Sequence, residues 1–326
     1  MPRAMKPTGW FQVAWSSDLA TGQIVPLSYF GSELVAFRGR DGRVNVLDAH
    51  CQHLGANLSR GCIVDQGIQC PFHGWVWDGN GRNVEIPYEA RPNRVRRVRS
   101  WPVTERNDSI YVWHDVASRP PQWEVPEAFS TLGQIFEAAD YYPLTDAARV
   151  RHPGIHVHPQ VIAENAVDPH HFRFVHHTPH SHVVLREAQE AEEWRAKVGF
   201  GRRWADAVDM PDETTSNIEI VWSGLGTSFS GEHTRDGLRV IAICATPVDA
   251  TTSDIFGTYW ISSEHGNGDE RLGQAKLALP DDIAVWDTQR YLDPPGLSPS
   301  EAAGFRKLRT WAGGFYPEAA EPAVAT

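Results

Sequence analysis

Cys51-Gln-His-Leu-Gly-Ala-Asn-Leu-Ser-Arg-Gly-Cys-Ile-Val-Asp-Gln-Gly-Ile-Gln-Cys-Pro-Phe-His73 contains two short loops, Cys51-Gln52-His53 and Cys70-Pro71-Phe72-His73. Each loop offers one sulfur and one imidazole, and sixteen residues separate the two. Two thiolates and two imidazoles are the ligand set of a [2Fe–2S] centre in which the histidines share one iron. A structural zinc site uses the same set, but its cysteines usually pair with each other at short spacing. Here each loop mixes Cys with His, and a single residue separates the first pair. That pattern favours a redox centre over zinc.

The text around these loops is that of short strands. Leu34-Val-Ala-Phe-Arg38 and Val44-Asn-Val-Leu47 flank Asp41-Gly42, a hairpin signal. Gly79-Asn80-Gly81 marks another tight turn, and Ser109-Ile-Tyr-Val-Trp113 is rich in β-formers. Residues 1–117 are therefore expected to form a small all-β domain, with the ligand loops at hairpin tips and the histidine edge turned to a partner. Arg91-Pro-Asn-Arg-Val-Arg-Arg-Val-Arg99 is a local basic run. It reads as a solvated strand face with Val95 and Val98 inward, or as a docking patch for an acidic electron donor.

After Val116 the composition shifts, with Pro120, Pro121 and Pro126 interrupting it, and residues 118–140 are expected to be a linker. Residues 141–326 make the second domain, so the expected class is α+β. Residues 218–222, 238–244 and 255–261 read as strands. Residues 187–194 look acidic and helix-like. Two later stretches, 282–291 and 301–311, look helical, the second with Phe305 and Leu308 on one face and Ser300 as its cap.

With 326 residues, 41% hydrophobic and 22% charged, the chain can build two full-sized cores. A net charge of −11 argues against a nucleic-acid binder. No apolar run approaches the ~18 residues of a membrane span, so no membrane partner is expected. The opening Met1-Pro-Arg-Ala-Met-Lys-Pro-Thr8 lacks the apolar core of a signal peptide, so a cytoplasmic location is expected. Cys62 and Cys244 stand outside the two loops and read as buried free thiols.

A second constellation follows in Glu164-Asn-Ala-Val-Asp168-Pro-His-His171-Phe-Arg-Phe-Val-His176-His177, with four histidines and two acids. That density favours a metal. Two histidines and one carboxylate on one side of an iron leave positions open for O2. Helical geometry does not choose the ligands. His170 and His177 would share a face of an ideal helix, whereas His171 and His176, five apart, need a bulge or break. Plain hydrogen bonding on a polar face must account for at least two of the four.

Together the two segments resemble the oxygenase component of a Rieske non-haem iron oxygenase. The flanks of the first match that family's signatures through Gly55, Gly61, Gly74 and Trp75. Asn165, Asp168, His171 and His176 match its catalytic motif, (E/D)-N-x-x-D-x-x-H-x4-H. The resemblance implies a Rieske [2Fe–2S] cluster on Cys51, His53, Cys70 and His73. It also implies a mononuclear Fe(II) on His171 and His176, with His170 and His177 as neighbours.

The third iron ligand in the family is an Asp at the start of a late helix. Asp281-Asp282-Ile-Ala-Val-Trp286 matches a D-x-x-x-W version of it, which favours Asp282 over Asp281 and Asp287. Asp168 lies three residues before His171, where on helical backbone it can bond that ligand's other ring nitrogen. In the family this Asp also meets a Rieske histidine of the neighbouring subunit; the plain alternative is a helix-start acid. Asn165 either lines the iron pocket or holds backbone.

Asp48-Ala-His-Cys-Gln-His53, Ile86-Pro-Tyr88, Ser100-Trp-Pro102 and Arg309-Thr-Trp311 are similar to the 3-ketosteroid 9α-hydroxylase oxygenases. These are monooxygenases that hydroxylate an unactivated ring C–H. The match departs after His176, with His177-Thr-Pro-His-Ser-His182 and the acidic stretch beyond it. The resemblance implies a catalytic domain of helix-grip type, an antiparallel sheet with helices. It implies a homotrimer fed by a flavin/iron–sulfur reductase, or by a ferredoxin plus reductase, using O2 on a hydrophobic steroid-like or polycyclic substrate. A Rieske demethylase or aromatic ring dioxygenase is the second reading, and an electron carrier without catalytic iron the third. Trp204, Trp222, Phe229, Phe256, Tyr259 and Trp260 are candidates for the pocket wall, although strand aromatics are more often sheet core.

Overall fold

The computed structural model describes residues 6–65, 67–168, 170–177, 183–199, 217–234 and 237–316. Trp204 and the stretch 178–182 lie outside them, as do both ends of the chain.

The first part of the chain is all β. It runs through β1 (Gly9–Trp15), β2 (Ile24–Tyr29), β3 (Ser32–Arg38), β4 (Val44–Asp48), β5 (Cys62–Val64) and β6 (Gly67–Gln69). It continues with β7 (Val76–Trp77), β8 (Asn83–Glu85), β9 (Ser100–Trp101), β10 (Val103–Arg106) and β11 (Ser109–His114). Strands β3 and β4 pair antiparallel across the Asp41-Gly42 turn, where Gly42 takes φ 82°. The four strands β5–β8 form a separate small sheet; the second ligand loop joins β6 to β7, and the first lies between β4 and β5. Its core buries Leu58, Ile68, Trp75 and Trp77 together with Cys51 and Cys70.

The second part is a seven-stranded antiparallel sheet among the described residues. Its strands are β12 (Arg149–Ile155), β13 (Val183–Glu190), β14 (Glu193–Gly199), β15 (Asn217–Ser223), β16 (Thr227–Thr234), β17 (Gly237–Pro247) and β18 (Ser253–Ile261), in the order β12-β18-β17-β16-β15-β14-β13. Helices α1 (Pro159–Glu164), α4 (Ala278–Trp286) and α5 (Ala302–Gly313) pack on one face around Trp194, Trp222, Leu279 and Leu308. The short α2 (His171–Phe174) and α3 (Gly268–Ala275) complete the helical layer. This is the α+β arrangement expected from the sequence.

The sheet's other face meets the three-stranded sheet β1-β11-β10. Phe11, Ile110 and Val112 share one core with Phe229, Val240 and Phe256. Side-chain bonds cross the seam: Trp15 Nε1 donates to Thr258 Oγ1 at 2.9 Å and Thr227 Oγ1 to the Trp10 carbonyl at 3.2 Å. The Thr8 N–H donates to the Phe315 carbonyl at 2.7 Å. The expected linker is itself packed here, with Val125, Ala128, Phe129 and Leu132 buried in the shared core.

Several local expectations change. Residues 187–194 form a hairpin, not a helix: the end of β13 at Glu190, a turn at 191–192, and the start of β14 at Glu193. Trp194, Ala196 and Val198 are buried and alternate with partly exposed Arg195 and Lys197, the period of a strand with one face covered. Helix-favouring acids lose to pairing of Trp194 opposite Trp222. Only Val98 of the basic run points inward; Val95 is 90% exposed and the run is not a regular strand. Cys62 is exposed, whereas Cys244 is buried as expected.

Helix α4 begins earlier than the sequence suggested, because Pro280 sits in its first turn, where no N–H is required. Ser300 does not cap α5. Its Oγ lies 3.2 Å from His170 Nε2, and Glu301 occupies the cap position and accepts the Ser298 N–H at 2.8 Å.

Candidate functional site

The two loops of the first site are built alike. The Gly55 N–H closes on the Cys51 carbonyl at 2.9 Å, and the Gly74 N–H on the Cys70 carbonyl at 3.1 Å. Both glycines take left-handed backbone, φ 79° and 74°, which side chains disfavour. A Cβ at Gly74 would also stand 2.8 Å from Pro87 Cγ. These turns hold Cys51 and Cys70 buried, with His53 and His73 partly exposed beside them.

The rings of His53 and His73 are 4.8 Å apart, and His53 stacks on Trp75 at 4.4 Å. Trp77 Nε1 donates to Cys51 Sγ at 3.3 Å. Burial pushes the Cys51 thiol up, and neighbouring Cys70 adds to the rise. Two thiols buried side by side, with His73 Nδ1 buried and unpaired among the described residues, fit a metal cluster that would accept them as ligands.

The second site sits between the helical layer and the sheet. One ligand atom each from His171, His176 and Asp282 lies within 4.8 Å of the others. His171 comes from α2, His176 from the turn after it, and Asp282 from the second turn of α4. Ending α2 at Phe174 supplies the break that the five-residue spacing needed. His176 Nε2 stands 3.3 Å from Asp282 Oδ1. Asn165 Nδ2 donates to that same oxygen at 3.3 Å, so Asn165 faces the site. Burial holds His171 below the usual imidazole value, which favours a neutral ring ready to ligate. Burial opposes the cation at His176 too, but Asp282 outweighs it and raises that ring.

The three Asp candidates separate by position. Asp287 bonds the His156 N–H at 2.9 Å and its ring at 3.1 Å, away from the cluster. Asp281 is 55% exposed and 4.0 Å from His176 Nδ1. Asp282 is the one within the cluster. His170 turns to Ser300, and His177 takes left-handed backbone just beyond His176.

Asp168 holds the site differently from the expected contact. Its carbonyl, not its carboxylate, accepts His171 Nδ1 at 2.7 Å, leaving Nε2 for a metal. The carboxylate accepts the N–H groups of His170 at 2.9 Å and His171 at 3.2 Å, starting α2.

A cavity of about 440 Å³ opens onto these ligands. Helical residues Ile162, Phe172, Leu279 and Trp286 line one wall; Ile218, Ile220, Trp222, Ile241, Ile243 and Tyr259 line the sheet wall. Of the expected aromatic wall, Trp222 and Tyr259 line the cavity, whereas Phe229, Phe256 and Trp260 fill the core on the other face. Sequence reasoning missed Ser228, Ser230 and Glu232, which line the cavity from β16. Their alternation with Phe229 and Gly231 was the available signal. Glu164, one of the two acids of the histidine-rich stretch, has its carboxylate buried against Arg309.

Comparison with known proteins identifies the two halves of the chain. Residues 9–102 match the Rieske [2Fe–2S] domain, and residues 112–316 match the 3-ketosteroid 9alpha-hydroxylase C-terminal domain. A 3-ketosteroid-9-alpha-monooxygenase oxygenase component from Rhodococcus rhodochrous is 28% identical over 94% of this chain and 80% of its own length. A cholesterol 7-desaturase from Hemicentrotus pulcherrimus is 28% identical over 96% of this chain and 70% of its own. In fold, dicamba monooxygenase bound to dicamba superposes with a TM-score of 0.70 at 19% identity, covering 94% of this chain and 96% of that one. No helix among the described residues is long and apolar enough to cross a membrane. The chain belongs to the 3-ketosteroid 9alpha-hydroxylase family of Rieske oxygenases.

Proposed function

We propose that this chain is the terminal oxygenase of a monooxygenase system that hydroxylates a hydrophobic, steroid-like or polycyclic compound. The observation that carries the reading is the cavity. One apolar space, walled by isoleucines and tryptophans, has His171, His176 and Asp282 in its lining. Its volume falls in the range of small-molecule sites, roughly 300–1,000 Å³.

Cys51, His53, Cys70 and His73 would hold the [2Fe–2S] cluster, and His171, His176 and Asp282 a mononuclear Fe(II). When bound, the cluster supplies one-electron transfer and the iron supplies O2 activation. The chain's own residues do the rest. Asp168 fixes His171 through its carbonyl, and Asn165 orients Asp282. The isoleucine and tryptophan walls exclude water and hold the substrate's carbon frame against the ligands. Electrons come from NAD(P)H through a separate reductase.

In this reading the chain works in the cytoplasm as a homotrimer, with Asp168 next to the neighbouring subunit's Rieske histidine edge. Leu54 and Phe72, beside the two histidines, are 66% and 61% exposed, which suits a covered interface. The test is anaerobic reconstitution followed by metal and product analysis with steroids, aromatic acids and alkaloids. About three irons per chain and a hydroxylated steroid are expected. Two irons per chain with no product from any compound would overturn the reading.

A further inference from the structure

Residues 91–99 hold five arginines and no acid, in a chain whose net charge is −11. All five are exposed. Arg99 lies over the Trp101 ring at 4.1 Å, and the other four form no ion pair among the described residues. Arg97 also stands opposite Arg82 in an antiparallel bridge. Like charges so placed are destabilising, so this stretch keeps a concentration of positive charge that folding alone does not favour. Glu85 and Glu89, the nearest acids before the run, are exposed and form no ion pair with it. Val84 and Val95 add exposed apolar surface on the same two segments.

The run is mounted on the sheet that borders the cluster ligands. Asn93 Oδ1 accepts the N–H groups of Val95 at 2.9 Å and Arg96 at 3.0 Å. The Asn93 N–H donates to Oδ1 of buried Asn83 at 2.8 Å, and Asn83 Nδ2 donates to the Val76 carbonyl of β7 at 3.0 Å. The Val98 N–H donates to the Gly81 carbonyl at 3.0 Å. Just before the run, exposed Tyr88 accepts Trp75 Nε1 at 2.8 Å. Trp75 lies flat on the His53 ring, 5° from parallel at 4.4 Å. Two packed rings therefore join the surface at Tyr88 to a cluster ligand.

We propose that the face made by Tyr88 and residues 91–97 is the docking surface for an acidic iron–sulfur electron-transfer protein. The proposal rests on the proposed function for its separate electron donor, and it names the place where that donor binds. An acidic partner is repelled by most of a chain of net charge −11 and drawn to this one stretch, which orients the encounter as well as speeding it. Arginines among apolar side chains are also the composition of protein interfaces. Each encounter passes one electron: the donor's iron–sulfur centre is oxidised by one, the Rieske centre is reduced by one, and no bond is made or broken. The route makes no use of Leu54 or Phe72, which the proposed trimer covers.

The test uses the cluster-loaded protein with a plant-type [2Fe–2S] ferredoxin as probe, an acidic donor whose potential lies below that of a Rieske centre. Stopped-flow absorbance reads the rate of cluster reduction by the reduced probe, and titration with the oxidised probe reads binding, both against ionic strength. The second-order rate is expected to fall about tenfold or more from low to high salt. The double variant Arg94→Glu/Arg96→Glu should lower the low-salt rate about tenfold or more, weaken binding and flatten the salt dependence, with the visible spectrum of the cluster unchanged. Arg290→Glu/Arg306→Glu makes the same change in net charge at exposed residues of the catalytic half and should do much less. A rate independent of salt, or equal losses in the two double variants, overturns the inference while leaving the oxygenase reading intact. A protein that shows no cluster spectrum and takes no electron from dithionite overturns the oxygenase reading, and the inference falls with it.

Discussion

Glu164 and Arg309 meet in a two-pronged ion pair, with Nε 2.8 Å from Oε1 and Nη2 2.9 Å from Oε2. The pair ties the last residue of α1, next to Asn165, to α5. Gln160 Nε2 adds a bond to Glu164 at 3.0 Å, and Arg309 also donates to the Leu292 carbonyl at 2.7 Å. Removing one partner strands the other in a buried site, which typically costs about 3 kcal/mol or more. Arg309→Met should lose stability on that scale in urea unfolding. Loss of less than about 1 kcal/mol would mean the site relaxes around the lone carboxylate.

The iron ligands separate cleanly from their histidine neighbours. His171→Ala or His176→Ala should lower the iron content from about three to about two per chain, with the visible spectrum of the cluster unchanged. His170→Ala should keep the third iron, because His170 turns away to Ser300. Loss of iron in the His170 variant alone would move the ligand set.

Asp168 combines a local role with a proposed longer-range one. Its carboxylate starts α2 by accepting two backbone N–H groups, and an Asn can do the same through its side-chain oxygen. Asp168→Ala should cost about 1 kcal/mol of stability, and Asp168→Asn much less. Both should keep iron and the cluster spectrum yet nearly abolish oxygenation if the carboxylate links the two centres. Wild-type turnover in Asp168→Asn would confine the residue to its capping role.

Stability should fall on the acid side through His114. Its ring is buried, stacks on Phe30 at 4.6 Å and bonds the Pro7 carbonyl at 3.0 Å. Burial lowers its pKa from 6.5 to about 4, against the small upward pull of Pro7. The unfolded chain then binds more protons than the folded one between those values, so stability is lost as pH falls from about 6.5 and levels off below about 4. The loss is on the order of 3 kcal/mol. His114→Phe should flatten that slope in thermal melts; an unchanged slope would assign it to other groups.

How much of this was legible depended on whether identity or packing carried the information. Cys51, His53, Cys70 and His73 could be read directly, because few chemistries require that set of atoms. His171 and His176 needed a family motif, since helix geometry left the choice open: His170 and His177 share an ideal face, whereas His171 and His176 need a break. The break after Phe174 resolves that conflict, and short-range periodicity does not show it. Residues 187–194 misled because Glu and Ala favour helices locally, while the Trp194–Trp222 pair forms only once β15 is in place. Glu232 was invisible for a similar reason. A glutamate in a strand reads as solvent-facing until the helices cover that side of the sheet.

The Thr8–Phe315 bond and the core shared by Phe11, Val112, Phe229 and Phe256 bear on motion as well as stability. A redox protein can carry its cluster on a swinging head that visits donor and acceptor in turn. Here the strands that bracket the cluster-bearing segment, β1 and β11, are set into the back of the catalytic sheet, so both ends of that segment are anchored against such a stroke among the described residues. The cluster is then a fixed terminal. Its traffic would be governed by which surfaces come to it, and grafting it onto another catalytic half would mean transplanting the seam as well as the loops.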